Sequence, residues 1–400
     1  MRSIRTGVTL NSSAIPETIL EVVRTLHAAG HQAFLVGGCV RDIMRGAKPK
    51  DFDLASSALP AQVQQAFRRV IPTGIQHGTV TVLVGDEHIE VTTFRREGDY
   101  VDGRRPEKVE FHTDIEADLA RRDFTINAMA LDPFTQRLVD PFGGRADLQA
   151  KTIRCVRSAL ERFTEDGLRC LRAVRFATVL DFALDPQTEA AIAPTLSIFQ
   201  KVAVERVREE FQKILLSPNA LRGLHLLKST GLLGAFLPEA GQLEQAAAAP
   251  IDLEVRLAIL LHRAPKPLAA LERLKLPTHA IKRVEGLVAH QQPPADSADN
   301  KAVRLWIRDT SLEALDQQLS VCEALGHSTD ALRLRVEQLR GDPLIPKQLA
   351  LNGAQIMTAL DAKPGPIVGE ATRFLMDQVL ADPSKNTTDS LTALLTVFRP

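Results

Sequence analysis

The chain has 400 residues, of which 44% are hydrophobic and 24% are charged, as is typical of a globular protein with sizeable apolar cores. This length predicts roughly two to four domains. Its 49 Lys and Arg residues equal its 49 Asp and Glu residues, which excludes a basic bias over the whole chain. Any nucleic acid must therefore be bound by local basic patches. No apolar run approaches the roughly 20 residues of a membrane span, so we expect no membrane partner.

Four cysteines are scattered along the chain, at Cys39, Cys155, Cys170 and Cys322. Their spacing fits neither a metal site nor a disulfide framework, which predicts reduced thiols in apolar cores and a reducing compartment. The N-terminal residues lack the apolar segment of a secretory signal. We therefore expect the cytoplasm as the location.

In chain order, the first elements predict a mixed domain of helices and strands. An amphipathic helix is expected at about residues 16–29, before a mixed region from Gln32 to about Val156. The predicted strands are 33–36, 52–55, 79–84, 89–94, 127–131 and 138–140. The predicted helices among them are 38–45, 60–70 and 114–121.

Beyond Ser158 the strand patterns fade, and apolar residues recur at helical spacing as far as the C-terminus. A polar linker with two prolines is predicted at 291–300, and a second break at 341–346. The predicted fold class is α+β, with a mixed head followed by an all-α remainder.

A Gly-Gly turn followed by two alternating aspartates is the pattern richest in chemistry. Gly37 and Gly38 end a hydrophobic strand and open a short helix that carries Arg41. Glycines let the backbone approach a phosphate, and a helix N-terminus offers free N–H groups to it. Asp51 and Asp53 share one side of an extended segment and can bind one or two divalent metal ions. A metal with a bound triphosphate predicts nucleotidyl transfer.

The two aspartates also fit a solvated turn, here after the loop of Lys48 and Lys50. The Gly-Gly turn and Arg41 at this spacing favour the metal site. Glu90 alternates with apolar residues on a predicted strand. It is either a third carboxylate near the metal ions or part of a polar strand face.

A second pattern is an Arg-Arg-Asp segment that begins at Arg121. One interpretation is a helix C-terminus whose basic residues complement the dipole. The functional interpretation puts Arg122 on the triphosphate, with Asp123 and Asn127 organising the site or the ribose.

A third pattern lies within a basic patch, residues 151–175, which has seven basic and three acidic residues. Arg169, Arg172 and Arg175 follow Asp166 at intervals of three, which predicts a slanted ridge on a helix. A carboxylate can accept a hydrogen bond from the amino group of cytosine or adenine, and a guanidinium can donate to the neighbouring ring nitrogen. Asp166 with Arg169 would then select CTP and ATP over UTP and GTP. The alternative is a solvated face of i,i+3 salt bridges.

Together these motifs resemble those of the class II tRNA nucleotidyltransferases and bacterial poly(A) polymerases. The resemblance covers about residues 32–215 and includes the Asp140–Gly144 loop and a helical motif at 204–209. Segments 351–353 and 363–369 are similar to C-terminal parts of bacterial CCA-adding enzymes. The segments 73–79 and 95–106 resemble those of CCA-adding rather than poly(A)-adding members of the family. Residues 97–105 have the Gly-rich and charged composition of the family's mobile loop, which is associated with the switch to ATP.

The resemblance implies a polymerase-β-like head at 1–150, a helical neck at 151–215, a helical body at 216–290 and a tRNA-binding helical tail at 291–400. It implies Mg²⁺ as the cofactor, with Asp51 and Asp53 as catalytic metal ligands. The implied nucleotide-binding residues are Gly37, Gly38, Arg41, Arg122, Asp123, Asn127, Asp166, Arg169, Arg172 and Arg175.

One departure concerns the hydrolase domain that some relatives carry. Arg263 follows His262 where a metal-binding aspartate would be expected, so we interpret His262 as structural. Stacking residues are also scarce, with one Trp and one Tyr, which favours recognition of a folded RNA by its shape and backbone.

The predicted function is template-independent addition of CCA to the 3′ end of tRNA, using CTP and ATP with Mg²⁺. The predicted partners are the tRNA 3′ end and the two nucleotides, without DNA or a membrane. The alternatives are an enzyme that adds only A or only CC, a poly(A) polymerase, or an inactive module that binds RNA or nucleotides. The oligomeric state is not predicted.

Overall fold

The computed structural model describes residues 15–97 and 109–399, apart from the side chains at 96, 97, 109 and 110. The chain divides into two compact units, residues 1–238 and 239–400. The first contains the strands, and the second is helical wherever it is regular. The predicted α+β class with a mixed head and a helical remainder is confirmed, whereas the four-part division stays a prediction.

The first unit is built on a sheet whose described strands run in the order β3-β4-β5-β2-β1-β8-β9. The central β1 is buried along its whole length, which explains its unbroken run of apolar residues. The strands are β1 (Ala33–Val36), β2 (Asp53–Ser56), β3 (Val70–Gly74), β4 (Thr79–Val84), β5 (Glu87–Thr93), β6 (Arg95–Glu97), β7 (Val109–Phe111), β8 (Ala130–Leu131), β9 (Leu138–Val139), β10 (Thr152–Ile153) and β11 (Ala183–Leu184).

Strand register fixes where the two aspartates and the glycine turn meet. β1 and β2 are antiparallel, with Val36 opposite Asp53. Because Gly37 follows Val36 directly, the turn that ends β1 lies beside the start of β2. β2 and β5 are parallel, with Asp53 in register with Glu90.

Helices cover the sheet and form the rest of the first unit. α7 carries the ridge of arginines, and Ser158 caps the preceding α6 by accepting a hydrogen bond from the backbone N–H of Glu161. The helices are α1 (Glu17–Ala28), α2 (Gly38–Met44), α3 (Pro60–Ala66), α4 (Ile115–Ala120), α5 (Gly144–Gln149), α6 (Ala159–Glu165), α7 (Leu168–Leu180), α8 (Pro186–Ala190), α9 (Leu196–Phe199), α10 (Val204–Leu215), α11 (Ala220–Ser229) and α12 (Leu232–Phe236).

The second unit packs its helices around a core that includes Trp306, Leu319 and Leu375. Side-chain caps at Asp252, Asp299 and Asn352 satisfy N-terminal backbone N–H groups of three of the helices. The helices are α13 (Leu243–Ala248), α14 (Leu253–Leu261), α15 (Pro267–Arg273), α16 (Thr278–Ala289), α17 (Asn300–Thr310), α18 (Leu315–Ala324), α19 (Asp330–Leu339), α20 (Gly353–Leu360), α21 (Pro366–Ala381) and α22 (Thr388–Val397).

Two element predictions were wrong in part. The helix expected at 60–70 ends at Ala66, and Val70 already begins the edge strand β3. The strand expected at 127–131 keeps only its last two residues, because Asn127 ends a short 3₁₀ turn. The strands at 33–36 and 79–84 are confirmed with the predicted bounds.

Within residues 15–97 and 109–399, no helix combines the length and the apolar character needed to cross a membrane. The four cysteines are buried and free, as predicted. Burial raises the pKa of Cys39 to about 11 and that of Cys155 to about 12, so these thiols stay protonated at neutral pH.

Candidate active site

The glycine turn brings an arginine and an aspartate together. Gly37 has φ +74°, and a Cβ there would lie 2.9 Å from Nη1 of Arg122 and 3.8 Å from Oδ2 of Asp53. A side chain at this position would therefore clash with the guanidinium, and its backbone conformation favours glycine. Gly38 opens α2, whose Arg41 folds back so that Nη2 lies 3.5 Å from the position of a Cβ on Gly38.

Asp51 and Asp53 lie at the edge of this turn, and both residues are exposed as a whole, although the protein surrounds the Asp53 carboxylate enough to desolvate it. Burial of the Asp53 carboxylate raises its pKa, Arg122 opposes the rise, and the charge of Asp51 adds to it. The two carboxylates thus lie close enough to repel each other. Such a pair, with the phosphates of a substrate, is the donor set that Mg²⁺ prefers.

Glu90 is also exposed and projects from the same face as Asp53, because the two residues are in register on parallel strands. Among the described residues, however, no three His, Cys, Asp or Glu side chains converge as a metal-binding group. Glu90 therefore shares the face of Asp53 without completing a three-carboxylate cluster.

Arg122 is held from behind by Asp118, a buried residue that sequence reasoning missed. Nη2 of Arg122 lies 3.2 Å from one Asp118 oxygen, and Nη2 of Arg121 lies 2.7 Å from the other. Burial alone would raise the pKa of Asp118, but Arg121 and then Arg122 hold it below its usual value. Nε of Arg122 is buried and has no hydrogen-bond partner within the described part of the chain. A buried unsatisfied donor of this kind points to a missing acceptor.

A chain of polar contacts links the glycine turn to the arginines of α7. Arg41 Nη1 donates to Asn127 Oδ1 over 2.8 Å, and Asn127 Nδ2 donates to Asp123 Oδ1 over 3.3 Å. Arg172 donates twice to the other Asp123 oxygen, over 2.8 and 2.6 Å. Burial alone would raise the pKa of Asp123, but Arg172 above all lowers it to about 2. The structure thus joins four predicted site residues in one network.

The loop after β9 supports the turn that carries Asn127. Asp140 accepts hydrogen bonds from the backbone N–H groups of Gly144 and Arg145. A Cβ on Gly144 would lie 2.1 Å from the carbonyl oxygen of Thr125, so only glycine fits there. This close packing shows how the Asp140–Gly144 motif supports the turn that carries Asn127.

Arg175 and Arg172 flank Phe176 and share a buried acid. The Arg175 guanidinium lies 3.5 Å from the centre of the Phe176 ring, and that of Arg41 lies 5.4 Å from it. Nε of Arg175 donates to Glu210 over 2.7 Å, while Arg172 Nη1 is 4.0 Å from the same carboxylate. Three guanidinium groups therefore surround one ring, which favours them by cation–π attraction.

The predicted base-reading pair is arranged differently from a simple i,i+3 salt bridge. Asp166 accepts from Arg206 over 2.8 and 3.3 Å and from the backbone N–H of Leu168 over 3.0 Å. Arg169 instead donates to Glu165 over 2.5 Å and to the carbonyl oxygen of Arg121 over 3.0 Å. Arg206 lies on α10 within the helical motif at 204–209, and the sequence alone did not indicate a role for it in the site.

The helical spacing of apolar residues on α10 could have identified Glu210 as a buried acid. On α10 the buried residues include Val207, Phe211 and Ile214. Glu210 lies three residues after the first and four before the last of these, so it faces the core. The neighbouring Glu209, the last residue of the helical motif at 204–209, is not among the buried residues of α10.

Three family models of known proteins match successive segments of the chain. Residues 33–154 match the family described as the poly A polymerase head domain. Residues 181–243 match the probable RNA and SrmB-binding site of polymerase A, and residues 255–395 match tRNA nucleotidyltransferase domain 2.

Similar proteins span nearly the whole chain. The CCA-adding enzyme of Lactiplantibacillus plantarum is 36% identical over 387 residues, covering 92% of this chain and 93% of the relative. That of Geobacillus stearothermophilus is 37% identical over 398 residues, covering 94% and 95%. The crystal structure of the Bacillus stearothermophilus CCA-adding enzyme in complex with CTP has a TM-score of 0.81 at 32% identity, covering 95% and 96%. The chain belongs to the family of CCA-adding enzymes, the class II tRNA nucleotidyltransferases.

Proposed function

We propose that this chain adds CCA to the 3′ end of tRNA, using CTP and ATP and releasing pyrophosphate. The CCA-adding activity of its relatives and the CTP bound in the similar crystal structure support the proposal. The observation that carries it is Arg122. Its buried, unsatisfied Nε lies on a guanidinium packed against Gly37, beside Asp53, where a triphosphate would supply the missing acceptor.

Asp51 and Asp53 are proposed to hold a divalent metal ion, in keeping with a family that uses one, and we propose Mg²⁺. The mutual repulsion of the two carboxylates supports this, because a cation between them would relieve it. When bound, such an ion lowers the pKa of the attacking 3′-hydroxyl and stabilises the charge of the leaving pyrophosphate.

The triphosphate is proposed to lie against the bare backbone of Gly37 and Gly38. Arg122 contacts it with the guanidinium that Asp118 holds in place. Arg41 is fixed by Asn127 and lies over Phe176, so it can meet the phosphates without a large rearrangement. Preorganised positive charge of this kind favours the transition state more than the ground state.

Base selection is proposed to use Asp166 and Arg169, assisted by Arg172 and Arg175. Arg206 fixes the plane of the Asp166 carboxylate through two hydrogen bonds. Oδ2 of Asp166 still has a lone pair for the amino group of cytosine or adenine. Arg169 must share its donors with Glu165, or turn from it, in order to reach the ring nitrogen of the base.

Product analysis on gels tests the proposed activity. Purified protein is incubated with tRNA that ends at the discriminator base, and with CTP and ATP singly and together. We expect two cytidines and then one adenosine, and no extension of an unstructured control RNA with the same 3′ sequence. A ladder ending at CC, adenosine added only to tRNA that already ends in CC, or a long A tail on any RNA would assign the chain to a relative. No product would leave a module that only binds RNA or nucleotides.

The selection step has its own test in a double variant, Asp166→Ala with Arg169→Ala. Loss of the donor and acceptor edge should raise UTP incorporation relative to CTP at least about tenfold, besides slowing addition. The matched control removes the exposed pair of Glu17 and Arg24 on α1, which lies outside the proposed site. An unchanged preference for CTP in the first variant would mean that the pair only stabilises α7.

Three broader points accompany the proposal. We propose the four-part division into head, neck, body and tail, which the three separate family matches support. We propose the cytoplasm as the location, which the four free, buried thiols support. The loop at 97–105, proposed to widen the pocket for ATP, lies almost wholly outside the described residues.

A further inference from the structure

A separate cavity of about 650 Å³ lies in the first unit beside the candidate active site. Its walls include His112, Arg121, Phe142, Arg157, Arg162 and Glu165, and none of the residues proposed above to bind nucleotide or metal. Sites for small ligands usually enclose about 300–1,000 Å³, so this cavity has room for a nucleotide.

The cavity and the candidate active site have a wall in common. The buried Asp118 binds Arg121 through one oxygen and Arg122 through the other. Arg121 lines the cavity, whereas Arg122 packs against Gly37 on the catalytic side. Because Arg121 and Arg122 are adjacent in the chain, the cavity lies next to the candidate active site, within reach of the nucleotides that precede a 3′ end placed at Asp53.

An aromatic ring and an arginine provide a surface for a base in this cavity. The guanidinium of Arg157 lies 5.8 Å from the centre of the half-buried Phe142 ring. Within the described part of the chain, that guanidinium has no hydrogen bond or ion pair, and its residue is exposed. Arg157 has φ +59°, a conformation that costs a non-glycine residue roughly 1–2 kcal/mol. Rings and guanidinium planes are what unpaired RNA bases stack on.

The acidic residues of the cavity distinguish between two nucleotide ligands. Asp114, Glu116 and Glu165 line it together with the arginines. A free triphosphate concentrates negative charge and would be repelled by these carboxylates. A nucleotide within an RNA strand carries a single phosphate charge, which the guanidinium of Arg157 can neutralise.

We propose that this cavity binds an unpaired nucleotide of the RNA acceptor, upstream of the attacking 3′-hydroxyl. The base stacks on Phe142, and its phosphate meets Arg157, which lies beside that ring. The site would hold the growing 3′ end in register with the metal-binding carboxylates. The inference rests on the proposed function only for the identity of the RNA.

Binding measurements on the full chain test the site without any nucleotide addition. Fluorescence anisotropy compares labelled tRNA that has a three-nucleotide 3′ overhang with the same tRNA cut flush at the acceptor stem. Arg157→Ala should weaken binding of the overhang RNA about tenfold and leave the flush RNA unchanged. The control Arg137→Ala removes an exposed arginine of the same unit that does not line the cavity. Equal weakening of both RNAs by Arg157→Ala would overturn the proposal.

A second variant separates stacking from folding. Phe142→Leu keeps an apolar side chain against the core but removes the ring, so we expect the same loss for the overhang RNA with an unchanged melting temperature. Calorimetry with CTP alone should give the same Kd for both variants and the wild type. Weaker CTP binding in both variants would mean that the cavity belongs to the free nucleotide. Because these measurements need no product, they stay readable if CCA addition itself is not observed.

Discussion

Arginines have polar partners inside both compact units, but among the described residues the buried carboxylates lie in the first unit. In the first unit, buried carboxylates bind arginines of other elements: Asp123 binds Arg172, and Glu210 binds Arg175. In the second unit, the buried Arg256 donates to backbone carbonyl oxygens that follow or end α13. Arg256 thereby satisfies acceptors that a helix end leaves without intrahelical partners. The buried Arg304 of that unit pairs with Asp342, which is only half-buried, and donates to the carbonyl oxygen of Leu380.

The difference teaches which part of the molecule is arranged for chemistry. The hydrogen bonds from Arg256 to backbone carbonyl oxygens complete the fold of the second unit. Burial lowers the pKa of Arg256. Buried ion pairs are a poor source of stability, because desolvation offsets much of their attraction. The first unit nevertheless contains several beside the Gly37 turn. We infer that they hold guanidinium groups ready for a negatively charged ligand.

The largest effect is expected on the rate of nucleotide addition when Asp53 is replaced, at a position where the first unit gives up stability for function. Asp53→Asn should lower the rate of nucleotide addition by on the order of a thousandfold, since metal binding supplies several kcal/mol. The folded pKa of Asp53 is raised, so its ionised form opposes folding above its unfolded pKa. The same variant should therefore keep or slightly increase the melting temperature at pH 7. Single-turnover kinetics and thermal unfolding check the two outcomes.

Asp86→Asn, in the exposed turn between β4 and β5, is the matched control and should leave both quantities unchanged. Near-normal turnover of the Asp53 variant with Mg²⁺ would contradict the metal assignment. A clear fall in its melting temperature would contradict the inferred trade between stability and function.

Two variants compare the stability that a buried and an exposed carboxylate contribute. Glu210→Ala should lower the free energy of unfolding by about 3 kcal/mol, because it leaves the half-buried Arg175 without its acid, although Arg172 keeps Asp123. Glu337→Ala in the second unit removes an exposed partner of Arg340 and should cost less than about 1 kcal/mol. Urea denaturation followed by circular dichroism measures both. Similar losses for the two variants would remove the distinction between the units.

Acid titration gives a smaller effect with a defined sign. Because Arg172 lowers the folded pKa of Asp123 to about 2, the ionised carboxylate stabilises the fold above its unfolded pKa of about 4. Asp123→Asn should therefore cost about 2 kcal/mol at pH 7. That difference between variant and wild type should shrink as the pH falls from about 4 towards 2. A difference that is constant over this range would assign the loss to packing.

Local patterns in the sequence predicted much of this fold, and the failures have physical causes. The strands at 33–36 and 79–84 are regular and largely buried, so their apolar pattern identified them. β3 contains Pro72 and is largely exposed, and it lies at the edge of the sheet, where proline is tolerated. Its composition gave the pattern of neither a buried strand nor a continued helix.

The same limit applies to the candidate site. Gly37, Asp53 and Arg122 belong to short motifs, which is why local spacing proposes them as site residues. Arg206 binds Asp166 from 40 positions away, and that contact depends on how α10 packs on α7. No local pattern encodes such a distant partner, so the sequence suggested a pairing of Asp166 within its own helix.

The smallest effect is expected at His262 in the second unit, where some relatives have a hydrolase domain. Its Nδ1 lies 3.0 Å from the carbonyl oxygen of Ile259, at the end of α14, so it donates to the helix as a structural residue. Arg263 follows it in place of a metal-binding aspartate. His262→Ala should change the free energy of unfolding by no more than about 1 kcal/mol, the worth of one hydrogen bond, and leave nucleotide addition intact. The wild-type protein should not hydrolyse 2′,3′-cyclic nucleotides when divalent metal is supplied. Robust hydrolysis that His262→Ala abolishes would show that this unit, too, contains buried polar groups arranged for chemistry.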